Sequence, residues 1–364
     1  MTQSEWPSAS LARFPDPSQI LVRTAWKSPS NIALVKYWGK FEGQLPANPS
    51  LSITLSACYT ETEVVCTESE SGAMEVSFLL DGQPKPAFED KLKTFCQSLL
   101  PQKPFLKGKH LWVRSRNTFP HSAGIASSAS GMSAFCLALC TLENECTGAL
   151  AKKEDFFSEA SRLSRLASGS ASRSVYGGFV LWGKHPLEEK SSDEEAFPVS
   201  WNIHPEFRGL NDWIVVCDRQ EKAVSSRAGH GLMNGHPYAA ERFRQAFQNI
   251  ERMKMALVSG DWETFSFITE HEALSLHAMM MTSRPWFILM KPTTLALLDA
   301  LKAFRANTGC RVTFTLDAGP NLHLLFPDSE KENVNDFLIS KSGLNLRPED
   351  IIQDKEGTGP ERIL

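Results

Sequence analysis

The chain has 364 residues, of which 42% are hydrophobic and 22% charged, and carries a net charge of −4. That length exceeds one ordinary small core and suits two domains or one large α/β unit. The mildly acidic balance without a basic tract argues against nucleic acid as a partner, and no run of 18 apolar residues is present to span a membrane.

In chain order, "MTQSEWPSASLARFPDP" lacks a basic start followed by an apolar stretch. It reads as a polar arm over 1–20 and not as a secretion signal. Residues 20–27 and 51–66 alternate and are rich in β-branched side chains, as strands are. "MEVSFLLDGQP" predicts a strand entering a turn at its DGQP end, 87–100 has helical spacing, and "LWVRSRN" is a strand. Residues 127–148 predict a buried helix of small apolar residues, 153–167 an amphipathic helix, and "YGGFVLWG" a strand. The acidic stretch 186–195 reads as an exposed loop. "DWIVVCD", "CRVTFTLD" and a last central strand, "LHLLFP", are buried strands; between them, 237–279 predicts two helices and 291–307 another. Strands and helices come in mixed order without a βαβ repeat, so the expected class is α+β. The expected division is an arm over 1–20, one domain over 21–195 and a second over 196–364.

None of the eight cysteines forms a CxxC pair; Cys136 and Cys140 lie one helical turn apart in an apolar stretch, as buried free thiols do. A reduced, cytoplasmic protein fits this usage. In "HEALSLH", His271 and His277 are six apart and do not share a helix face, so no metal site is expected there.

Four stretches carry candidate chemistry. In "FPHSAGIASSASG", Pro120 blocks helix, Gly124 permits a tight turn, and Ser127, Ser128 and Ala129 open a helix with small side chains. Successive N–H groups and the helix dipole could then meet an anion, with a hydroxyl free to ligate Mg²⁺; the plainer alternative is a tightly packed, serine-capped helix start. Ser127, Ser128 and Ser130 add little to a core and are poor filler for a helix interior. In "SPSNIALVKYWGK", Lys36 and Lys40 flank Tyr37 and Trp38 and suit a polyanion, although exposed lysines at a strand end are commoner. In "SRLASGSASRSVYGG", Arg173 offers a forked donor for a carboxylate or phosphate. In "TFTLDAGPNLHLL", Asp317 ends an apolar strand beside a glycine and is a candidate base or an ordinary turn aspartate.

Together, "NIALVKYWGK", "FPHSAGIASSASG", "SGSASRSVYGGF" and "LDAGPN" resemble the signature stretches of the diphosphomevalonate decarboxylase family, within the GHMP kinase superfamily. "LPANPSLSITL" and "KAVSSRAG" resemble two more, and all keep the family's order from about residue 22 to the tail. The resemblance implies a two-domain fold, an N-terminal domain similar to ribosomal protein S5 domain 2 and a ferredoxin-like C-terminal domain, with the site in the cleft between them. It implies phosphorylation of the 3-hydroxyl of mevalonate 5-diphosphate by ATP and Mg²⁺, then loss of phosphate and CO₂ to give isopentenyl diphosphate. By the same resemblance, Pro120, Ser122, Ala123, Gly124, Ala126, Ser127, Ser128 and Ala129 would hold ATP, with Ser128 on Mg²⁺. Asp317 would take the hydroxyl proton, Lys36 would neutralise the moving phosphoryl group, and Arg173 would hold the substrate carboxylate. Tyr37, Lys40, Ser168, Gly169, Ser170 and Arg227 would meet the substrate's anionic groups, and a homodimer is usual among relatives. His121-Ser122, Leu316 and Thr118 depart from the family pattern beside the expected site. A phosphomevalonate decarboxylase or a mevalonate 3-kinase is the nearest alternative, the kinase being disfavoured by Asp317. An inactive binding protein on this fold would show a degraded phosphate loop or a lost Lys36 or Asp317.

Overall fold

The first strand is much longer than its sequence suggests. In a computed structural model, which describes residues 14–119, 127–220 and 226–364 (Ser226 and Arg227 without their side chains), β1 runs over Val22–Val35. The expected strand stopped at 27 because Ser28-Pro29-Ser30-Asn31 reads as punctuation. The chain instead absorbs these residues in a bulge, where the pairing of β1 with β2 (Ser50–Glu68) shifts register between Pro29 and Asn31. Leu34, Val35, Leu51 and Ile53 are fully buried on these two strands, each burial stabilising the fold by about 1.5–3 kcal/mol.

β3 (Glu75–Leu80) and β4 (Gln83–Pro84) form a hairpin around Asp81-Gly82, both at positive φ, as the DGQP turn implied. Helix α1 (Pro86–Leu99) then crosses to β5 (Lys109–Asn117), which pairs parallel with β3. This is a single βαβ crossover that the mixed pattern hid. Helices α2 (Ser127–Thr147) and α3 (Lys153–Ala167) follow, within a residue of expectation. Small residues let α2 lie close on the sheet: Ser133 Oγ is 2.6 Å from Ser28 Oγ, and Ser130 Oγ 2.7 Å from Thr60 Oγ1. Ser130 is thus a buried, hydrogen-bonded core residue, against the expectation that such hydroxyls add little to a core.

β6 (Phe179–Trp182) pairs with β2, and β7 (Ala196–Pro198) with β6, so strand pairing in the first sheet continues past residue 195. The expected loop at 186–195 is irregular but tethered, with Arg165 donating to the Glu194 carbonyl (2.7 Å) and Trp182 to that of Asp193 (2.9 Å). The second half holds β8 (Asn211–Val215), a short α4 (Ser226–Gly231), α5 (Ala239–Ser259), α6 (Trp262–Met281), α7 (Pro292–Thr308), β9 (Thr313–Thr315), β10 (Leu322–Phe326) and α8 (Lys331–Asp336). Two further strands, β11 (Ile351–Lys355) and β12 (Glu361–Arg362), were not expected, so "LHLLFP" is central but not last. The second sheet has the order β11-β8-β10-β9, and β12 returns to pair with β1.

The halves share one apolar core, in which Ile32, Leu51 and Leu181 of the first sheet belong with Ile214, Ile250, Phe265 and Leu325. Asp354 on β11 pins them further by accepting from the backbone N–H groups of Ser56 (2.8 Å), Ala57 (2.7 Å) and Cys58 (2.7 Å). The tail crosses "YGGF" so closely that a β-carbon on Gly177 would lie 2.2 Å from the Thr358 carbonyl oxygen, which accounts for a glycine there. All eight cysteines are free, and no described helix is long and apolar enough to cross a membrane.

Candidate active site

Lys36 follows the last residue of β1 and is 1% exposed, not the solvent-facing lysine that a strand end usually carries. Its Nζ donates to the Ala33 carbonyl (2.6 Å) and to Asp317 Oδ1 (2.8 Å). Burial pushes the ammonium below the usual lysine range, and Asp317 opposes that shift. The lysine's main chain is gripped as well. Its N–H donates to Glu272 Oε2 (2.8 Å), and its carbonyl accepts from Asn48 Nδ2 (2.9 Å) and an Arg242 Nη (3.2 Å). Glu272 and Arg242 form a buried ion pair, with Asn249 donating to Glu272 at 2.6 Å.

Arg173 lies in a 3₁₀ segment, Gly169–Val175, between α3 and β6. It is 3% exposed; its Nε donates to Asn31 Oδ1 (3.2 Å) and a terminal nitrogen to Ser50 Oγ. Among the described residues no carboxylate lies within ion-pairing distance of it. Burial lowers its pKa to about 10, opposed by the charge of Asp317. Asp317, with a side chain 28% exposed, is the open member of a group otherwise built from buried cations. It leaves β9 in a loop fixed by Asn321, whose Oδ1 accepts from Cys217 N–H (2.8 Å) and Asp218 N–H (3.2 Å).

Tyr37 packs between Trp182 (ring centroids 4.6 Å apart) and His230 (4.2 Å). Gly169 makes that packing possible, since a β-carbon there would lie 2.9 Å from the Tyr37 hydroxyl and 3.0 Å from the Trp182 ring. Ser170 faces Asn31, its carbonyl accepting from Nδ2 at 3.3 Å, and Ser168 caps the end of α3. Lys40 stands farther along, its Nζ 2.8 Å from Gln44 Oε1. His230 went unremarked in the sequence. Gly39 N–H donates to its Nδ1 (3.0 Å), so the neutral ring carries its proton on Nε2. Burial first, then the Lys40 and Arg173 charges, hold its pKa down to about 3.

At the start of α2, Ser127 is half-buried, Ser128 exposed and Ala129 buried. Both serines border a cavity whose walls include Phe78, Phe88, Leu92, Phe135 and Asn117. Pro120, Ser122, Ala123, Gly124 and Ala126 lie outside the described residues, as do His121 and the side chain of Arg227. Of the other departures, Leu316 is fully buried in the core of the second sheet. Thr118 is structural, its Oγ1 donating to the Ala57 carbonyl (2.6 Å) and accepting from Tyr59 N–H (3.0 Å). Among the described residues no group of three or more His, Cys, Asp or Glu could hold a metal.

Sequence reasoning therefore brought Lys36, Arg173 and Asp317 to one place and left out their supports, Asn31, Asn48, Ser50, Glu272 and Arg242. Asn48 and Ser50 lie in "LPANPSLSITL", where Asn and Ser ahead of a β-branched run were the available signal.

Comparison with known proteins shows the family. The Diphosphomevalonate decarboxylase-like N-terminal domain matches residues 28–193, and the Mevalonate 5-diphosphate decarboxylase C-terminal domain matches residues 213–359. The chain is 32% identical to the diphosphomevalonate decarboxylase of Schizosaccharomyces pombe over 86% of its own length and 81% of that protein's. It is 31% identical to that of Aspergillus fumigatus over 86% and 78%. Among solved structures, a complex with MVAPP, AMPPCP and magnesium superposes with a TM-score of 0.80 at 29% identity, covering 94% of this chain and 99% of the other. The mevalonate diphosphate decarboxylase of Staphylococcus aureus does so with a TM-score of 0.79 at 28% identity, covering 94% and 98%. These matches carry the two-domain GHMP kinase fold with them, and the chain belongs to the diphosphomevalonate decarboxylase family.

Proposed function

We propose that this protein catalyses the ATP-dependent decarboxylation of mevalonate 5-diphosphate to isopentenyl diphosphate, ADP, phosphate and CO₂. The observation that carries the reading is Arg173, a buried guanidinium with no protein carboxylate in reach among the described residues, beside the Lys36–Asp317 pair. A buried cation in that state is costly unless an anion arrives to meet it, and the substrate's C1 carboxylate is such an anion.

In this reading Asp317 accepts the proton of the 3-hydroxyl as that oxygen attacks the γ-phosphorus of ATP, and ADP leaves. The C3–O bond then breaks, its electron pair departing with phosphate. The C1–C2 pair becomes the C2=C3 double bond, and CO₂ is released. Lys36, 2.8 Å from Asp317, neutralises charge on the transferred phosphoryl group and on the departing phosphate. Arg173 keeps the carboxylate aligned with the breaking C–O bond, an orientation effect. Tyr37, Lys40, Ser168, Gly169, Ser170 and Arg227 take the diphosphate.

Ser127, Ser128, Ala129 and the residues before them take the ATP phosphates, with the apolar cavity beside them suited to the nucleobase. Magnesium supplies charge neutralisation on those phosphates. The exposed Ser128 hydroxyl fits an ion that arrives with the nucleotide. The solved relative holding MVAPP, AMPPCP and magnesium supports both assignments.

The reading includes a folding division in the stretch between β7 and β8, a cytoplasmic setting supported by eight free cysteines, and a homodimer for which the exposed Trp286 and Ile288 offer apolar surface. Purified protein given ATP, Mg²⁺ and either mevalonate 5-diphosphate or the 5-monophosphate tests it: CO₂ and ADP should appear in equal amounts with the diphosphate. ADP without CO₂ would mark a kinase, and preference for the monophosphate would reassign the substrate.

A further inference from the structure

Helix α6 touches both members of the Lys36–Asp317 pair. Glu272, fully buried, accepts the Lys36 backbone N–H at 2.8 Å. Five residues on, His277, 2% exposed, lies with Nε2 3.1 Å from the backbone carbonyl oxygen of Asp317. A carbonyl only accepts, so His277 Nε2 carries the proton and donates. The two contacted residues are 281 apart in sequence and come from opposite halves of the molecule. Both lie just past a strand: Lys36 follows β1, and Asp317 follows β9 in a glycine-containing loop. The same Asp317 carbonyl also accepts from Gly319 N–H at 2.7 Å.

We infer that α6 is a spacer that sets the Lys36–Asp317 separation, with His277 and Glu272 acting as positioning residues through the Asp317 carbonyl and the Lys36 amide. Neither side chain meets substrate; each holds the main chain of a residue that does. A rigid helix fixes the distance between its own side chains, so two hydrogen bonds from one helix transmit that distance to the two segments that carry Lys36 and Asp317. The Glu272 end is braced by Arg242 and Asn249, and Arg242 also reaches the Lys36 carbonyl, so this end is anchored to α5 as well. Misplacement by about 1 Å is enough to cost roughly 100-fold in turnover, which is the scale on which such supports matter.

The inference rests on the function proposed above, and its test separates the two. His277→Gln keeps an N–H donor at nearly the reach of Nε2, His277→Asn keeps an amide too short to reach, and His277→Leu removes the donor at similar volume. For each variant, steady-state release of CO₂ and ADP is measured with mevalonate 5-diphosphate and MgATP, normalised to folded protein by circular dichroism. The expected result is a fall in kcat of at least ~10-fold for Leu and Asn, with both KM values within a few-fold of wild type, and recovery to within a few-fold for Gln. Should the Leu variant not fold, the contrast of Asn with Gln decides alone. Turnover within twofold of wild type in Asn, or Gln as impaired as Asn while both are folded, overturns the positioning role. A wild type that releases neither CO₂ nor ADP overturns the proposed function instead.

Discussion

Two arginines are buried to the same 3% exposure and have opposite surroundings. Arg114, on β5, crosses the sheet to an ion pair with Glu63 on β2, and Arg23 reaches the same carboxylate from β1 at 2.5 Å. Arg173 has, among the described residues, the neutral hydrogen-bond acceptors Asn31 and Ser50. Burial depresses both guanidinium pKa values; a directly ion-paired carboxylate opposes the shift at Arg114, and only the charge of Asp317, without an ion pair, at Arg173. A buried charge whose compensation is internal serves the fold, whereas one left uncompensated is held ready for a ligand.

Replacing each arginine with methionine sharpens that contrast. Arg114→Met leaves the buried Glu63 with Arg23 as its ion-pair partner and should lower unfolding free energy by about 2 kcal/mol in chemical denaturation, with kcat per folded molecule unchanged. Arg173→Met should leave stability within about 1 kcal/mol of wild type or raise it, while turnover falls at least ~100-fold. A destabilised Arg173→Met with normal turnover would make both arginines structural. Asp317→Asn should cut turnover by about 100-fold with substrate binding nearly unchanged, the usual scale for losing a positioned acid–base group. Turnover within a few-fold of wild type would remove Asp317 from the chemistry. The smallest effect is expected of Ser128→Ala, a few-fold rise in KM for MgATP with the melting temperature intact. A collapse in melting temperature with normal kinetics would make that serine a helix cap.

Motifs made the site's charged residues legible because the chemistry needs those residue types wherever they stand. Helices α2 and α3 were legible too, since period and small-residue content report burial directly. Four features were not. Strand β1 continues through Pro29 because a bulge accommodates it, which local propensity does not show. β11 and β12 are short and polar, and owe their strand form to partners more than a hundred residues away. Glu272 carries no local signal, its partner Lys36 lying 236 residues distant. His277 was weighed only as a metal ligand, and its role appears once the Asp317 loop is folded against α6.

The central claim is that Arg173 holds the substrate's carboxylate. Titration calorimetry with mevalonate 5-diphosphate, and with an analogue lacking the C1 carboxylate, tests it in wild type and in Arg173→Lys. The lysine variant keeps the charge but loses the planar fork. It should bind the full substrate more weakly than wild type does and turn it over more slowly, yet bind the analogue as wild type does. If wild type still bound the analogue far more tightly than Arg173→Lys, the guanidinium would be holding some other group, most simply a phosphate, and the account would be contradicted.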